Sequence, residues 1–214
     1  MDRSRVDVRD TYDRIGEHFS KTRVNAWPEV ESFVADAEEG DFGLDIGCGN
    51  GRHVETLQQR VDRVLGVDVS RSLLDAAIER VPDGRFVLGD ASHLPIASGR
   101  VDLAVYIATL HHLPSREARI ASLDQLARVL DPDGRALVSA WSTTHDNFDA
   151  SIDAERGFDT TVEWTLPGGE TVPRFYHIYA PAEFRADVES SDLSLLEFEV
   201  SSGNCYGTVR PASR

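Results

Sequence analysis

The sequence predicts an α/β fold with a doubly wound, mostly parallel sheet. Short, nearly continuous apolar runs alternate with segments of helical periodicity, which is typical of parallel strands covered by helices on both faces. The first apolar run leads directly into the glycine-rich segment GLDIGCGNG, residues 43–51. With 214 residues, the chain has the length of one sizeable domain. We therefore expect a single domain, 1–214.

The elements are predicted in the following order. Helical spacing of apolar residues places two helices within the N-terminal segment 1–40, at 8–22 and 28–39. Strands are predicted at 42–46, 63–68, 85–89, 101–107 and 135–141, with helices near 51–60, 71–81 and 115–130. After Trp141 the periodicity stops, and the insertion 142–175 is expected to be a lid, a binding loop or disorder on the substrate side. A helix at 181–189 and strands at 193–200 and 205–210 are expected to close the sheet with an antiparallel edge.

The charge of the chain is strongly negative, at −15, and such a charge ordinarily argues against a nucleic-acid partner. However, Lys21 is the only lysine and Asp outnumbers Glu, a bias that resembles proteins of halophilic organisms. In molar salt the Debye length falls to about 3 Å, so long-range repulsion from an acidic surface is largely screened. The net charge therefore does not exclude RNA.

Other features bear on location and metal content. No apolar stretch has the length of a membrane span, and the first residues, MDRSRVDVRD, lack the apolar core of a secretory signal, so we expect a cytoplasmic protein. Cys48 and Cys205 form no CxxC pair and are too few for a disulfide framework. His111 and His112 are adjacent, which is not a metal-ligand spacing, and no metal site is predicted.

The glycine-rich segment predicts a cofactor-binding turn. Gly47, Gly49 and Gly51 follow the first strand, where small residues leave backbone N–H groups accessible to a ligand. A dinucleotide fingerprint would need glycine at position 52, where this chain has Arg52. Asp45 at the end of the strand would repel a pyrophosphate, whereas it would attract the ammonium and sulfonium groups of S-adenosylmethionine. The pattern therefore favours S-adenosylmethionine over NAD.

Acidic residues also end the next two strands. Asp68 lies about twenty residues downstream, where a carboxylate takes both ribose hydroxyls, and Asp90 is placed to accept a hydrogen bond from an adenine amino group. Cys48 is expected to pack against the cofactor rather than to react. The other residues predicted beside the cofactor are Val69, Ala91 and Ile107.

Several blocks of the sequence resemble class I S-adenosylmethionine-dependent methyltransferases, which have a seven-stranded Rossmann-like sheet. These blocks are LDIGCGNGRH, GVDVS, GDASHLP, VDLAVYIATLHHL and RVLDPDGRALVSAW. A narrower resemblance, to the tRNA methyltransferases that esterify carboxymethyluridine at the wobble position, lies in YDRIGEHFSKTRVNAWPEVESF, LHHL, RFYHIYAPAEF and GNCYGTVR. The resemblance implies tRNA as the substrate and a heterodimer with a small zinc-binding activator. It is weaker through 142–173, where substrate contacts would be expected.

The chemistry of such a reaction predicts the residue types of the site. A carboxylate acceptor is ionised at neutral pH, so the reaction needs orientation and desolvation rather than a general base. The predicted catalytic residues are Arg23, His111, Arg174, Tyr176 and His177, with Trp141 and Asn204 as further neighbours of the acceptor. If the acceptor were a hydroxyl or an amine, His111 or His112 would become a base candidate. Arg23 could instead pair with a surface carboxylate.

Two other functions share part of these signals. A small-molecule methyltransferase would carry every cofactor motif, and would be indicated by an apolar pocket under the 142–173 segment. A nicotinamide-dependent oxidoreductase is the alternative from another class, and Arg52 in place of the third glycine speaks against it.

The strand predicted at 85–89 is a candidate interface. Its sequence, RFVLG, contains no proline and little charge, so it lacks the usual protection of an exposed edge. A partner that added a strand here would cover Phe86 and Leu88. The N-terminal helices or a second copy of the chain could cover this edge instead.

Overall fold

The computed structural model describes residues 5–148 and 155–213. Its nine strands are β1 (Gly40–Ile46), β2 (Val61–Asp68), β3 (Arg85–Leu88), β4 (Val101–Tyr106), β5 (Leu130–Trp141), β6 (Phe158–Thr165), β7 (Thr171–Ile178), β8 (Leu193–Ser201) and β9 (Asn204–Pro211). Its six helices are α1 (Arg5–Lys21), α2 (Pro28–Ala35), α3 (Arg52–Leu57), α4 (Arg71–Arg80), α5 (Arg116–Val129) and α6 (Pro181–Glu189). A short 3-10 helix covers Leu110–His112.

Seven of the strands form one sheet, in the order β3-β2-β1-β4-β5-β9-β8. The strands from β3 to β5 are parallel, whereas β9 and β8 add antiparallel pairs. The sequence prediction of a doubly wound, mostly parallel sheet is confirmed, including the antiparallel edge. The chain leaves β1 towards β2 on one side and returns to β4 on the other, so a crevice opens at the carboxyl ends of these strands.

The core lies on both faces of this sheet, and β4 illustrates why a central strand has apolar residues at consecutive positions, here from Leu103 to Tyr106. Leu103 and Val105 pack with the helices on one face, and Ala104 and Tyr106 pack on the other. Because successive side chains of a strand alternate between the faces, a strand that is covered on both sides needs apolar residues at every position. No described helix is both long enough and apolar enough to cross a membrane.

Capping serines and prolines in the sequence mark where four of the helices begin. Ser70 caps α4 by accepting a hydrogen bond from the Leu73 amide, and Ser115 caps α5 in the same way through the Ala118 amide. Helices α2 and α6 begin with proline, whose fixed φ suits the first turn.

Strands β6 and β7 give the 142–173 segment a regular structure that the sequence did not predict. They form a separate antiparallel hairpin within a region that the sequence indicates to be a lid, a loop or disorder. Gly168 and Gly169, with φ of 105° and 90°, make the turn between them. Pro173 lies within β7, and polar residues occupy the solvent side of both strands. The apolar periodicity of the segment is therefore too weak to predict strands. Residues 149–154, which belong to the predicted insertion, lie outside the described ranges.

Helix α1 lies against α4 and reaches the hairpin. Asp13 accepts hydrogen bonds from the Ser70 hydroxyl at 2.8 Å and the Ser72 amide at 3.2 Å, which joins α1 to the first turn of α4. Towards the hairpin, the indole N–H of Trp164 donates to His18 Nδ1 at 3.2 Å. Together α1 and the hairpin cover the crevice above the sheet.

Candidate active site

A cavity of about 410 Å³ occupies the crevice at the carboxyl ends of the parallel strands. The strand ends supply its floor, and α1 and β7 supply its cover. Twelve residues of the predicted site line this cavity, and they are Arg23, Gly47, Cys48, Gly49, Asp68, Val69, Asp90, Ala91, Ile107, His111, Arg174 and Tyr176. The other predicted residues, Asp45, Gly51 and His177, do not line it.

The glycine turn after β1 has the backbone that only glycine adopts easily. Gly47, Gly49 and Gly51 all have positive φ, between 53° and 77°. A Cβ on Gly47 would lie 2.1 Å from the Thr109 hydroxyl oxygen, whereas a Cβ on Gly49 would meet nothing within 4 Å. Gly49 therefore borders open space in the cavity, and Gly51 instead precedes α3 as its N-terminal cap.

Asp68 at the end of β2 is oriented by two backbone amides. The amides of Gly49 and Ser70 each donate to one of its carboxylate oxygens at 2.8 Å. Burial raises the pKa of Asp68 to about 6, although these amides favour the ionised form. Each oxygen keeps a second lone pair, so the carboxylate can accept two hydroxyl groups from a ligand in the cavity.

Asp45 lies at the end of β1, 1% exposed, and neither carboxylate oxygen has a hydrogen-bond partner among the described residues. Burial raises its pKa to about 8, Arg52 opposes this shift, and Asp68 adds to it. A buried carboxyl group without a partner is costly, so it indicates a group that the protein alone does not supply.

Asp90 follows β3 at the far side of the cavity. Its Oδ1 accepts hydrogen bonds from both the amide and the hydroxyl of Ser92, each at 2.8 Å. Val69, Ala91 and Ile107 also line the cavity and give it apolar walls. This part of the cavity suits a flat heteroaromatic group next to a polyhydroxylated one.

Three arginines that line the cavity have no carboxylate within ion-pair distance among the described residues. They are Arg23, Arg52 and Arg174. Burial, followed by the nearby Arg23 charge, lowers the pKa of Arg52 to about 10. Carboxylates are abundant in this chain, so cations that remain without one inside a cavity indicate an anionic ligand. The predicted alternative, in which Arg23 pairs with a surface carboxylate, is not found among the described residues.

Arg174 is the most buried of the three, at 6% exposure. Its Nη1 donates to the hydroxyl of Tyr176 at 2.6 Å, and its Nε has no partner among the described residues. Its guanidinium lies over the ring of Trp164, 4.9 Å from the centroid, and the Arg23 guanidinium lies 5.8 Å from the same centroid. The aromatic ring thus holds two cations near each other without neutralising them.

The histidine pair is neutral, and the neighbouring groups fix its tautomers. His111 Nδ1 accepts a hydrogen bond from the Trp141 amide at 2.9 Å, so the proton resides on Nε2. His112 Nδ1 faces the Phe175 carbonyl at 2.8 Å, so it carries the proton and its Nε2 accepts from the Tyr12 hydroxyl at 2.8 Å. Burial lowers the pKa of His112 to about 4 and that of His111 well below its usual value.

His177 is predicted from the sequence to be a catalytic residue, but it does not line the cavity. Successive residues of a strand point to opposite sides, so Arg174 and Tyr176 share the cavity side of β7 and His177 lies on the other. Its ring nitrogens lie 2.8 Å from Asp159 Oδ1 and 3.1 Å from Glu183 Oε1. Asn204 does not line the cavity either, whereas Trp141 does, with its ring stacked on Tyr176 at 4.7 Å.

Several residues that line the cavity are not among the predicted site residues. Tyr12, on α1, meets His112 across a sequence separation of 100 residues, which no local pattern encodes. His53 Nε2 is buried without a partner among the described residues, and burial lowers the pKa of this histidine to about 3. Ala108 has a φ of 51°, a strained conformation of the kind that concentrates at binding sites.

Comparison of the sequence with known proteins gives a consistent result. Residues 44–138 match the family model described as "Methyltransferase domain". The chain is 30% identical over 212 residues to the tRNA (carboxymethyluridine(34)-5-O)-methyltransferase of Schizosaccharomyces pombe, a match that covers 89% of this chain and 90% of that protein. A relative with the same enzyme name from Xenopus tropicalis is 37% identical over 135 residues, and the match covers 63% of this chain and 21% of that protein. The matched region is therefore about a fifth of the Xenopus protein.

Solved structures share the fold at low sequence identity. The complex of DhpI with SAH superposes with a TM-score of 0.73 at 19% identity, covering 98% of this chain and 97% of that one. A putative methyltransferase in complex with the Trm112 methyltransferase activator of Haloferax volcanii superposes with a TM-score of 0.71 at 16% identity, covering 97% and 98%.

Proposed function

The chain belongs to the family of tRNA (carboxymethyluridine(34)-5-O)-methyltransferases, and on this premise we propose that it methylates the carboxylate of a carboxymethyl group on a tRNA uridine. The observation that carries the proposal is the set of cavity arginines without a carboxylate partner. A carboxylate on the acceptor would supply the missing negative charge, and a planar guanidinium can bind both of its oxygens.

The state of the histidines agrees with a carboxylate acceptor. A hydroxyl or amine acceptor would need a base, but the accepting nitrogen of His111 is occupied by the Trp141 amide and that of His112 by the Tyr12 hydroxyl. A carboxylate is ionised at neutral pH, so it needs no proton acceptor. The residues around it only have to hold one oxygen in line with the methyl group and exclude water.

The residues at the strand ends fit S-adenosylmethionine as the cofactor. Asp68 would accept the two ribose hydroxyls, and the space beside Gly49 admits a ligand close to the backbone. Asp45 does not line the cavity, but its carboxyl group at the end of β1 has no partner among the described residues, and when ionised it would attract the positive end of the same molecule. When bound, S-adenosylmethionine supplies an electrophilic methyl group on a sulfonium centre. The cytoplasmic location expected from the sequence is compatible with a tRNA substrate.

On the acceptor side, different residues of this chain would bind the carboxylate and the uracil ring. Arg174 and the Tyr176 hydroxyl would bind the carboxylate, and Arg23 lies near the same Trp164 ring as Arg174. Trp141, stacked on Tyr176, would form a wall for the uracil ring. The aromatic surroundings remove water from the carboxylate, which makes its oxygen more nucleophilic.

The experiment compares two tRNA substrates and three variants. One tRNA carries 5-carboxymethyluridine and the other carries the neutral 5-carbamoylmethyluridine. We expect methyl transfer only to the carboxylate. Arg174→Ala should lower kcat/KM by about 10- to 100-fold, the equivalent of one charge-assisted hydrogen bond, while the Kd of S-adenosylhomocysteine stays unchanged. Arg23→Ala should likewise reduce transfer more than cofactor affinity.

Arg185→Ala provides the matched control, because Arg185 is an exposed arginine on α6 outside the cavity. It should retain full activity. Equal methylation of the neutral tRNA would overturn the proposal, as would full transfer by Arg174→Ala with cofactor binding intact.

The proposal includes a protein partner, the small zinc-binding activator that the sequence resemblance implies, and the Haloferax volcanii structure likewise holds a methyltransferase with an activator protein, Trm112. Strand β3 lies at one edge of the sheet, and Leu88 at its end is 53% exposed. Ile78 on the adjacent α4 is equally exposed. A strand added by the partner would pair the free edge of β3 and cover these apolar side chains.

A further inference from the structure

The hairpin β6–β7 supplies Arg174 and Tyr176 to the cavity, but its strands do not belong to the main sheet. The described strands of the hairpin pair only with each other. Its backbone joins the main sheet after β7, where the Tyr179 amide donates to the Trp141 carbonyl and the Thr143 amide donates to the Tyr179 carbonyl. Side-chain contacts must therefore fix the angle at which β7 faces the cavity.

His177 makes such a contact on the side of β7 opposite to Arg174. Its Nδ1 lies 2.8 Å from Asp159 Oδ1, on the paired strand β6, and its Nε2 lies 3.1 Å from Glu183 Oε1, on α6. Glu183 also accepts a hydrogen bond through Oε2 from the Gly157 amide, at the start of the hairpin, at 2.5 Å. One imidazole and one carboxylate therefore connect both strands of the hairpin to a helix of the main body.

The helix side of this contact is anchored by a buried ionic cluster. Arg119 on α5 is 3% exposed, and its guanidinium lies 3.8 Å from Glu183 Oε1 and 3.8 Å from Asp187 Oδ2. Asp187, 1% exposed, also accepts a hydrogen bond from the Tyr179 hydroxyl at 3.1 Å and pairs with Arg116 at 2.6 Å. Glu183 is thus held by neighbours that do not move with the hairpin.

We propose that His177 is a positioning residue, which with Asp159 and Glu183 latches β7 to α6 and so holds Arg174 and Tyr176 in place for the acceptor. This inference rests on the proposed function, because the latch acts through Arg174. The two ring nitrogens of His177 allow one side chain to contact β6 and α6 at the same time. Substrate-positioning groups need support of this kind, since a displacement of about 1 Å can cost 100-fold in rate.

The test is a double-mutant cycle of His177→Ala and Arg174→Ala, measured with tRNA bearing 5-carboxymethyluridine. We expect His177→Ala to lower kcat/KM by about 10-fold, through KM for the tRNA, and to leave the Kd of S-adenosylhomocysteine unchanged. In the Arg174→Ala background, His177→Ala should cause a smaller loss than in the wild type, because one of the two residues that it positions is absent. His177→Gln retains one hydrogen-bond donor and should be intermediate.

Two further variants make the result unambiguous. Glu163→Gln removes a charge from the exposed side of β6 and should behave as the wild type. Asp159→Asn weakens the latch at its exposed end, where the side chain is 57% exposed, so it reports on the latch if His177→Ala does not fold. A loss in cofactor affinity equal to the loss in transfer, or additive effects of the two substitutions, would overturn the latch. An unchanged Arg174→Ala enzyme would instead contradict the proposed function.

Discussion

At the scale of single residues, Asp68 combines an anchored carboxylate with a raised pKa of about 6. The ionised form is the better acceptor for ribose hydroxyls, so binding of S-adenosylhomocysteine should weaken as the pH falls below about 6. Asp68→Ala removes charge-assisted hydrogen bonds worth roughly 1.5 to 3 kcal/mol each, and the affinity should fall accordingly. Calorimetry at several pH values measures both effects.

Asp68→Asn is the informative companion of this experiment. Asparagine keeps the shape of the side chain but cannot ionise. We therefore expect this variant to bind S-adenosylhomocysteine more weakly than the wild type. Its affinity should not change between pH 5 and pH 7 through ionisation of residue 68. A folded Asp68→Ala protein with wild-type affinity would rule out the ribose assignment.

Asp45 should make the stability of the free protein depend on pH. Its pKa is about 8 in the folded chain and 3.8 without the fold, so the folded state holds a proton that the unfolded chain releases. The free energy of unfolding therefore falls as the pH rises from about 4 to about 8. Asp68 acts in the same direction, but only up to about pH 6.

The window from pH 6.5 to pH 8 isolates the Asp45 contribution. Without cofactor, the wild-type Tm should decrease across this window, and the Tm of Asp45→Asn should decrease less. Scanning calorimetry at the two pH values provides the comparison. Parallel slopes for the two proteins would mean that Asp45 is already ionised in the fold.

At the scale of elements, the contact between α1 and α4 connects folding stability to the cavity. The Ser70 hydroxyl caps α4 and donates to Asp13 of α1. Ser70→Ala should lower the free energy of unfolding by about 1 kcal/mol through the lost cap. It should also speed hydrogen exchange in α1, which carries Tyr12, because α1 loses a link to the body.

Ser115→Ala offers a matched control. Ser115 caps α5 with the same geometry, but within the described residues its side chain makes no hydrogen bond to α1. It should reduce stability by a similar amount without faster exchange in α1. Equal exchange in the two variants would show that Asp13 and Ser70 do not hold α1.

The helices and strands differ in how strongly the local sequence predicts them. The buried strands and capped helices were predictable because periodicity, capping residues and turns agree. The hairpin was not, although the segment LPGGE between β6 and β7 is a turn signal. Had that signal been used, strand alternation would have placed His177 on the opposite side from Arg174. The meeting of Tyr12 with His112 depends on the tertiary fold alone.

At the scale of the whole molecule, β3 is an open edge of the main sheet in the described chain and carries the exposed Leu88. We expect the zinc-binding activator to bind at β3, so Leu88→Asp should abolish co-purification of the two proteins. Phe86→Asp should have the same effect, although its ring also packs beside Gly51 and Gly66 and its loss disturbs the core. Size-exclusion chromatography of the co-expressed pair measures the complex.

Leu196→Asp is the control for the opposite edge. Leu196 lies on β8 and is 43% exposed, so the substitution changes a comparable apolar side chain far from β3. It should leave the complex intact. Loss of the complex in Leu196→Asp but not in Leu88→Asp would assign the partner to the other edge.

The cavity arginines without carboxylate partners have a consequence for turnover. Esterification converts the anionic oxygen into a neutral methyl ester, so the charge that attracted the acceptor disappears in the chemical step itself. Arg174 and Arg23 then face a product to which they have little attraction. The site therefore binds the acid in preference to the ester. The esterified nucleoside leaves without competing with the acid for the site.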